Sequence, residues 1–187
     1  MGNKDKTVYI CLFTCASTRA IHLEIITDLT EKAFILAFRR FISKKSTPKI
    51  MISDNGTTFV AASETIRKLT TSELIEEKLG EHGTEWKFIP KRAPWFGGFW
   101  ERMIGIVKGA IFKVLNKAYI SMEELQTLVS EVEMMINDRP LTHVSTDVRD
   151  PQPLTPSHLH YGRRISSLLF IQMIDISSTE SILHILP

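Results

Sequence analysis

Lys49-Ile50-Met51-Ile52-Ser53-Asp54-Asn55-Gly56 is the stretch on which the reading of this chain turns. Lys49 to Ile52 form a short apolar strand that runs straight into Ser53-Asp54-Asn55-Gly56, so a carboxylate stands at the carboxyl end of a strand beside a permissive glycine turn. In sheets flanked by helices, that is where sites are built. Upstream, Thr7 to Ala16 is almost continuously apolar and rich in β-formers, the pattern of a central strand covered on both faces. After Ser17-Thr18-Arg19, the segment Ala20 to Ile26 alternates Ile21, Leu23 and Ile25 with His22 and Glu24. That is the period of a strand with one wet face, and the two strands pair as a hairpin. Thr30 then caps a predicted helix with Phe34, Ala37, Phe38 and Phe41 at helical spacing, and Arg39, Arg40, Lys44 and Lys45 on or beyond its other side. Pro48 closes the connection.

Downstream, Phe59 to Leu79 reads as helix in two pieces, ended by Gly80 to Gly83 before a strand at Glu85 to Ile89. Pro90 to Phe99, with two prolines and Gly97-Gly98, is too broken for a helix or strand and is expected to be an active-site loop. The helix after it carries Ile104, Val107, Ile111, Val114 and Leu115 on one face, with Glu101 and Lys108 seven residues apart along its edge. A further amphipathic helix, Ser121 to Asp138, is stopped by Pro140, and a Pro-rich segment without a core pattern follows. Hairpin, helix, strand and helices make an α/β arrangement.

Bulk properties exclude more than they select. With 187 residues, 43% of them hydrophobic and 24% charged, the chain has material for one ordinary domain core and no disorder signature. A net charge of +2 decides nothing about nucleic acid, because phosphate binding depends on where cations sit. Met1 to Lys6 has no apolar signal core, and Lys6 stands where a myristoylation signal needs Ser or Thr. The longest apolar run, near Leu168 to Ile176, is far shorter than the roughly 20 residues that span a bilayer. A nuclear or cytoplasmic protein, not secreted and without a membrane partner, is therefore expected. Cys11 and Cys15 have no zinc spacing and read as small buried hydrophobes in a reducing compartment.

Phosphodiester chemistry commonly uses two divalent cations roughly 3.5–4 Å apart, held by carboxylates that converge from separate elements. Asp54 at a strand end and Glu101 at a helix start are candidates. Taken alone, an Asp in a turn is ordinarily a turn former, and a Glu in a first helical turn ordinarily complements the helix dipole. The three tryptophans, Trp86, Trp95 and Trp100, have faces on which bases can stack, although packing is their commoner use. Lys91-Arg92 and Arg163-Arg164 read as solvated surface, and His22, His158 and His160 as structural or exposed.

The neighbours of these residues shift the weighing. Val8-Tyr9-Ile10-Cys11-Leu12-Phe13-Thr14-Cys15 with Arg19-Ala20-Ile21-His22-Leu23-Glu24 comes first, then Ser53-Asp54-Asn55-Gly56-Thr57-Thr58-Phe59. Pro94-Trp95-Phe96-Gly97-Gly98-Phe99-Trp100-Glu101-Arg102 follows, then Asn137-Asp138-Arg139-Pro140-Leu141-Thr142 and Leu154-Thr155-Pro156-Ser157-His158-Leu159. In this order, over Lys6 to Ile165, the chain resembles the integrases of long-terminal-repeat retrotransposons, especially the Bel/Pao group. The resemblance implies a ribonuclease-H-like mixed sheet flanked by helices. It also implies a reaction dependent on Mg2+ or Mn2+ in which water trims a DNA end and the freed 3′-hydroxyl attacks target DNA.

By that resemblance Asp54 is the second carboxylate and Glu101 the third, both catalytic and metal-binding. Lys108 matches a position that grips the element's DNA end, and Asn55, Gly56 and Thr57 lie near the scissile or target strand. DNA and further copies of the chain are the implied partners, with no small-molecule substrate. The family's first carboxylate lies on a strand ahead of the hairpin, in an Asp-aromatic-x-Gly-Pro context, and this sequence begins after it; Asp5 lacks that context. The expectation is a core with its first strand missing. It comprises a polar leader at 1–6, the catalytic core at 7–142, a Pro-rich segment at 143–165 and a divergent tail at 166–187. DNA integration would be its activity by descent, impaired as written. The alternatives are a non-catalytic remnant that binds nucleic acid or itself, and a nuclease acting on RNA-DNA hybrids, which shares the fold.

Overall fold

Thr30 sets where the first helix begins. Its extended backbone (φ −79°, ψ 156°) turns its hydroxyl back to accept the Ala33 N–H, while the Asp28 carboxylate takes both the N–H and the hydroxyl of Thr30. The computed structural model describes residues 7–70, 84–90, 94–115, 120–142 and 153–165. In chain order these form β1 (Tyr9–Thr14), β2 (Ile21–Ile26), α1 (Glu31–Lys45), β3 (Ile50–Ser53), α2 (Thr57–Thr70) and β4 (Glu85–Phe88). A single 3-10 turn (Pro94–Gly97) leads into α3 (Gly98–Leu115), followed by α4 (Met122–Asn137) and α5 (Pro156–Tyr161). The second expected helical piece beyond α2, the Gly80 to Gly83 break, Lys91-Arg92, the leader and the tail lie outside the described residues.

The chain packs as two compact units. One comprises Val8–Cys11 and Glu24–Glu101. Here α1 turns Ala33, Phe34, Ala37 and Phe38 inward, and Phe34 meets Phe59 edge-on at 5.0 Å and Trp86 at 5.9 Å. Phe38 tilts onto the same indole at 6.1 Å, and the Trp86 Nε1–H donates to Ser53 Oγ at 2.9 Å. Each fully buried Phe contributes about 1.5–3 kcal/mol, so this aromatic cluster is the main tie between α1 and the strands beneath it. β3 and β4 run parallel, Ile50 opposite Glu85 through Ser53 opposite Phe88. The Glu85 N–H donates to Lys49 O at 2.9 Å and the Ile89 N–H to Ser53 O at 3.0 Å, so the pairing holds up to the residue before Asp54.

The other unit is built on Leu12–Leu23 and the described residues of Arg102–Pro187. A tight turn, with Arg19 at φ 58°, brings the Cys15 N–H to Ala20 O at 2.8 Å. α4 starts at a capping box in which Ser121 accepts the Glu124 N–H and Glu124 accepts the Ser121 N–H. Its far end fastens to β2. Asn137 Oδ1 accepts the Ile21 N–H at 2.7 Å and its Nδ2 donates to Ile21 O at 2.9 Å, so the amide stands in for a neighbouring strand. Glu133 accepts the Leu23 N–H at 2.9 Å. Arg139 donates to Ile136 O and to Arg19 O, both at 2.7 Å, and burial beside Arg19 lowers its pKa from the ordinary guanidinium value. The Asn137-Asp138-Arg139 run is thus a fastener, with Asp138 accepting the Ile165 N–H at 3.2 Å.

Several sequence expectations need correction. β1 is not covered on both faces: of its residues only Phe13 is fully buried, and among the described residues β1 pairs with β2 alone. β2 has no wet face. His22 and Glu24 are each 5% exposed, since His22 lies against Glu133 and Phe13 while Glu24 takes Arg40 and Lys44. The polar alternation was real, but charged partners cover it. On α3 the buried row is Met103, Val107, Ile111 and Leu115, and Ile104 and Val114 are 37% and 39% exposed. The segment after Pro140 does form structure: α5 opens with a Thr155/His158 capping box and closes at left-handed Gly162, and Thr155, Pro156 and Ser157 are buried. The four strands described form two two-stranded sheets, β1–β2 and β3–β4, instead of one mixed sheet. No described helix is long and apolar enough to cross a membrane.

Candidate functional site

Asp54 emerges directly after the last paired residue of β3 and is exposed. Its Oδ1 accepts the Gly56 N–H at 2.9 Å, the bond of an Asx turn, and its other oxygen bonds to no described residue. The turn-forming role and an outward-facing carboxylate oxygen therefore coexist in one side chain. Gly56 is not at a positive φ, so backbone freedom is not why glycine stands there. A Cβ at this position would lie 2.9 Å from Asp54 Oδ1 and 3.3 Å from the Phe59 ring, which correct the reading of Gly56 as a permissive turn: it clears space for the carboxylate.

Glu101 repeats this arrangement. The expected loop before it contains the 3-10 turn Pro94–Gly97, and α3 already begins at Gly98, so Glu101 sits in the first helical turn. It is exposed and makes no hydrogen bond or ion pair with a described residue. A Cβ on Gly97 would fall 3.1 Å from Glu101 Oε1 and 3.0 Å from the Trp100 ring.

The other candidates separate in kind. Asn55 Nδ2 donates to Ile89 O at 2.9 Å, tying the turn after β3 to the end of β4, so its first role is to hold Asp54's turn in place. Thr57 is the exposed first residue of α2. Lys108 is half-buried on α3, two turns beyond Glu101, and pairs with no described carboxylate. Asp54 through Thr57 and Glu101 belong to the same compact unit, and Lys108 to the other. Of the tryptophans, Trp86 is a packing residue, Trp100 packs on Phe99 at 5.2 Å, and Trp95 departs from the packing expectation at 74% exposed.

Among the described residues no three His, Cys, Asp or Glu side chains are grouped to hold a metal ion. Two carboxylates whose oxygens bond to no other described side chain are ligand material, but two alone do not fit a two-cation centre. Sequence reasoning missed a different reactive group. Cys15 is half-buried, not enclosed. Burial raises its pKa, but hydrogen bonds from the Ser17 and Thr18 side chains and amides outweigh that and lower it to about 7. Cys11 is likewise only partly buried, and its thiol is pushed up to about 12 by burial and by the Glu24 charge.

No family model and no curated protein matches the chain. Solved structures do. A chain of the simian T-cell lymphotropic virus intasome, determined by cryo-electron microscopy in complex with PP2A regulatory subunit B56 gamma, superposes with a TM-score of 0.54 at 16% identity, covering 93% of this chain. The present chain spans 60% of that one. The HTLV-2 integrase catalytic core domain, solved with magnesium in a dimeric form, superposes with a TM-score of 0.51 at 16% identity, covering 84% of this chain and 97% of its own. At such identity the likeness establishes the fold: mixed α/β, of the integrase-core, ribonuclease-H-like kind.

Proposed function

We propose that this chain is a polynucleotidyl-transfer core of the integrase type, of the Bel/Pao long-terminal-repeat group, and that it handles DNA. The observation that carries the reading is the matched pair of carboxylates. Asp54 follows a strand and Glu101 starts a helix on an integrase-like fold, each exposed, each with an oxygen that bonds to no described residue and each beside a glycine where a Cβ would crowd it. Those residues would supply two ligands for Mg2+ or Mn2+, which when bound activates the attacking oxygen and steadies the leaving one. The third ligand would come from a strand ahead of β1.

In this reading Lys108 would contact a DNA end. Asn55, Gly56 and Thr57 would line the approach of the scissile or target strand, and Trp95 offers an exposed face to a base. Self-association and a nuclear or cytoplasmic setting belong to the same proposal. The test adds an Asp-bearing strand ahead of β1 and assays strand transfer beside RNA-DNA hybrid cleavage. Strand transfer that Asp54→Asn and Glu101→Gln each abolish supports the reading. Hybrid cleavage without strand transfer replaces it with a nuclease.

A second reading, a non-catalytic DNA-binding remnant, is favoured by the lack of a three-ligand group among the described residues. It predicts salt-sensitive, metal-independent binding, and strand transfer by the extended chain would end it.

A further inference from the structure

Glu24 is an acid with two bases. Its carboxylate, 6% exposed on β2, accepts from Arg40 Nε and, at 2.9 Å, from Lys44 Nζ, while Arg40 Nη2 also donates to Ile25 O at 3.0 Å. The cationic ends remain in water, with the Arg40 side chain 44% and the Lys44 side chain 57% exposed. Arg40 Nη1 bonds to no described residue. Its neighbour Arg39 is exposed and pairs with no described carboxylate. Together with Leu36 and Ser43 these cations line an open depression along α1. Three cations against one carboxylate leave a local charge of two, an excess that the chain's nearly balanced total conceals.

We infer that this face of α1 is a docking surface for the phosphate backbone of duplex DNA, on an element other than those that carry Asp54, Glu101 and Lys108. The inference rests on the DNA-handling reading above and adds a contact surface to it. Two features distinguish the strip from an ordinary solvated helix face. First, a buried anion pins two of its long side chains, so part of the ordering entropy that binding would demand is already spent on folding. Second, its composition suits a polyanion and not a protein. Protein interfaces build an apolar, charge-depleted centre, and here only Leu36, 44% exposed, is apolar among five lining residues. A two-fold contact centred on this strip would set like charges face to face. The strip from Leu36 to Lys44 extends about 12 Å at about 1.5 Å per residue, enough for more than one phosphate of a strand.

The experiment measures binding of the full chain to a fluorescein-labelled DNA duplex across a salt series, comparing wild type with Arg39→Gln, Lys44→Gln and Lys108→Ala. Thermal melts confirm that each variant folds. Arg39 holds nothing in place, so Arg39→Gln is the cleanest probe, and Lys44→Gln leaves Arg40 on Glu24. One phosphate contact contributes about 0.9 to the slope of log affinity on log salt, so Arg39→Gln should weaken binding about eightfold at about 0.1 M salt and flatten the slope by about 0.9. Unchanged affinity and slope in Arg39→Gln, with Lys108→Ala weakened, overturns the α1 surface and leaves the DNA reading standing. Absence of duplex binding by the wild type overturns both. If polyglutamate of equal charge displaces the duplex as well as unlabelled duplex does, the occupant is an acidic protein and the assignment to DNA falls.

Discussion

Replacing Asn137 tests the fold where two segments far apart in the chain meet. The amide both accepts from and donates to the backbone of Ile21, 116 residues earlier, in a setting where Ile21 is 2% and Asn137 5% exposed. Asn137→Ala leaves two buried backbone groups without partners. Each such group costs about 1–3 kcal/mol, part of which is recovered if water enters the vacated space, so the expected loss is about 2–4 kcal/mol. Against a total stability of about 5–15 kcal/mol that is a large fraction. With an m-value of about 2 kcal/mol/M, the urea midpoint should fall by about 1–2 M. Thr127→Ala, an exposed change on the same helix that removes only a bond to Glu123 O, is the control and should move it little. Asn137→Asp sharpens the test. At neutral pH its second oxygen opposes Ile21 O, acceptor against acceptor, and burial raises its folded pKa above the unfolded value of about 3.9. Protonation restores the donor, so the variant's deficit relative to wild type should be fully relieved only below about pH 3.9 and should grow as pH rises through the folded pKa. A midpoint shift under about 0.3 M for Asn137→Ala, or an Asn137→Asp deficit indifferent to pH, refutes the fastener.

Two further outcomes follow from titratable groups. Cys15, with a pKa near 7, should alkylate with a half-maximal rate near that pH and lose reactivity as pH falls through it, while Cys11 stays unreactive until the chain unfolds. Mass spectrometry of timed iodoacetamide reactions distinguishes them, and equal rates would contradict the assigned environments. Glu24→Gln removes the buried anion but leaves both cations largely in water, so the expected loss is about 1–2 kcal/mol, below the roughly 3–5 typical of fully buried pairs. A loss as large as 4 kcal/mol in a thermal melt would show that Arg40 and Lys44 are more enclosed than described.

Local patterns were legible because they need only neighbours. The Thr30 cap, the β-period of Ile21 to Ile26 and the stop at Asn137 all lie within a turn or two of what the sequence indicates. Burial was not legible, because it is decided by partners far along the chain. His22 and Glu24 carry a solvent-face pattern, yet Glu133, Arg40 and Lys44 enclose them. The phase of α3 was misread for another reason: with apolar residues on several sides, its sequence offers more than one stripe, and packing chose Met103 over Ile104 and Val114. At the candidate site, the ends of β3 and α3 could be located from the glycines and prolines around them. The reason for those glycines could not, since the distance from Gly56 to its neighbouring carboxylate exists only in three dimensions.

The 116 residues between Ile21 and Asn137 also carry a temporal meaning. A ribosome adds about 5–20 residues per second, so about 6–23 s elapse between synthesis of β2 and synthesis of the side chain that completes its outer edge. Throughout that interval the nascent hairpin presents the backbone groups of Ile21 and Leu23 to whatever else is nearby, so the synthesis of residues 21 to 137 is the period in which this edge is open to wrong pairing.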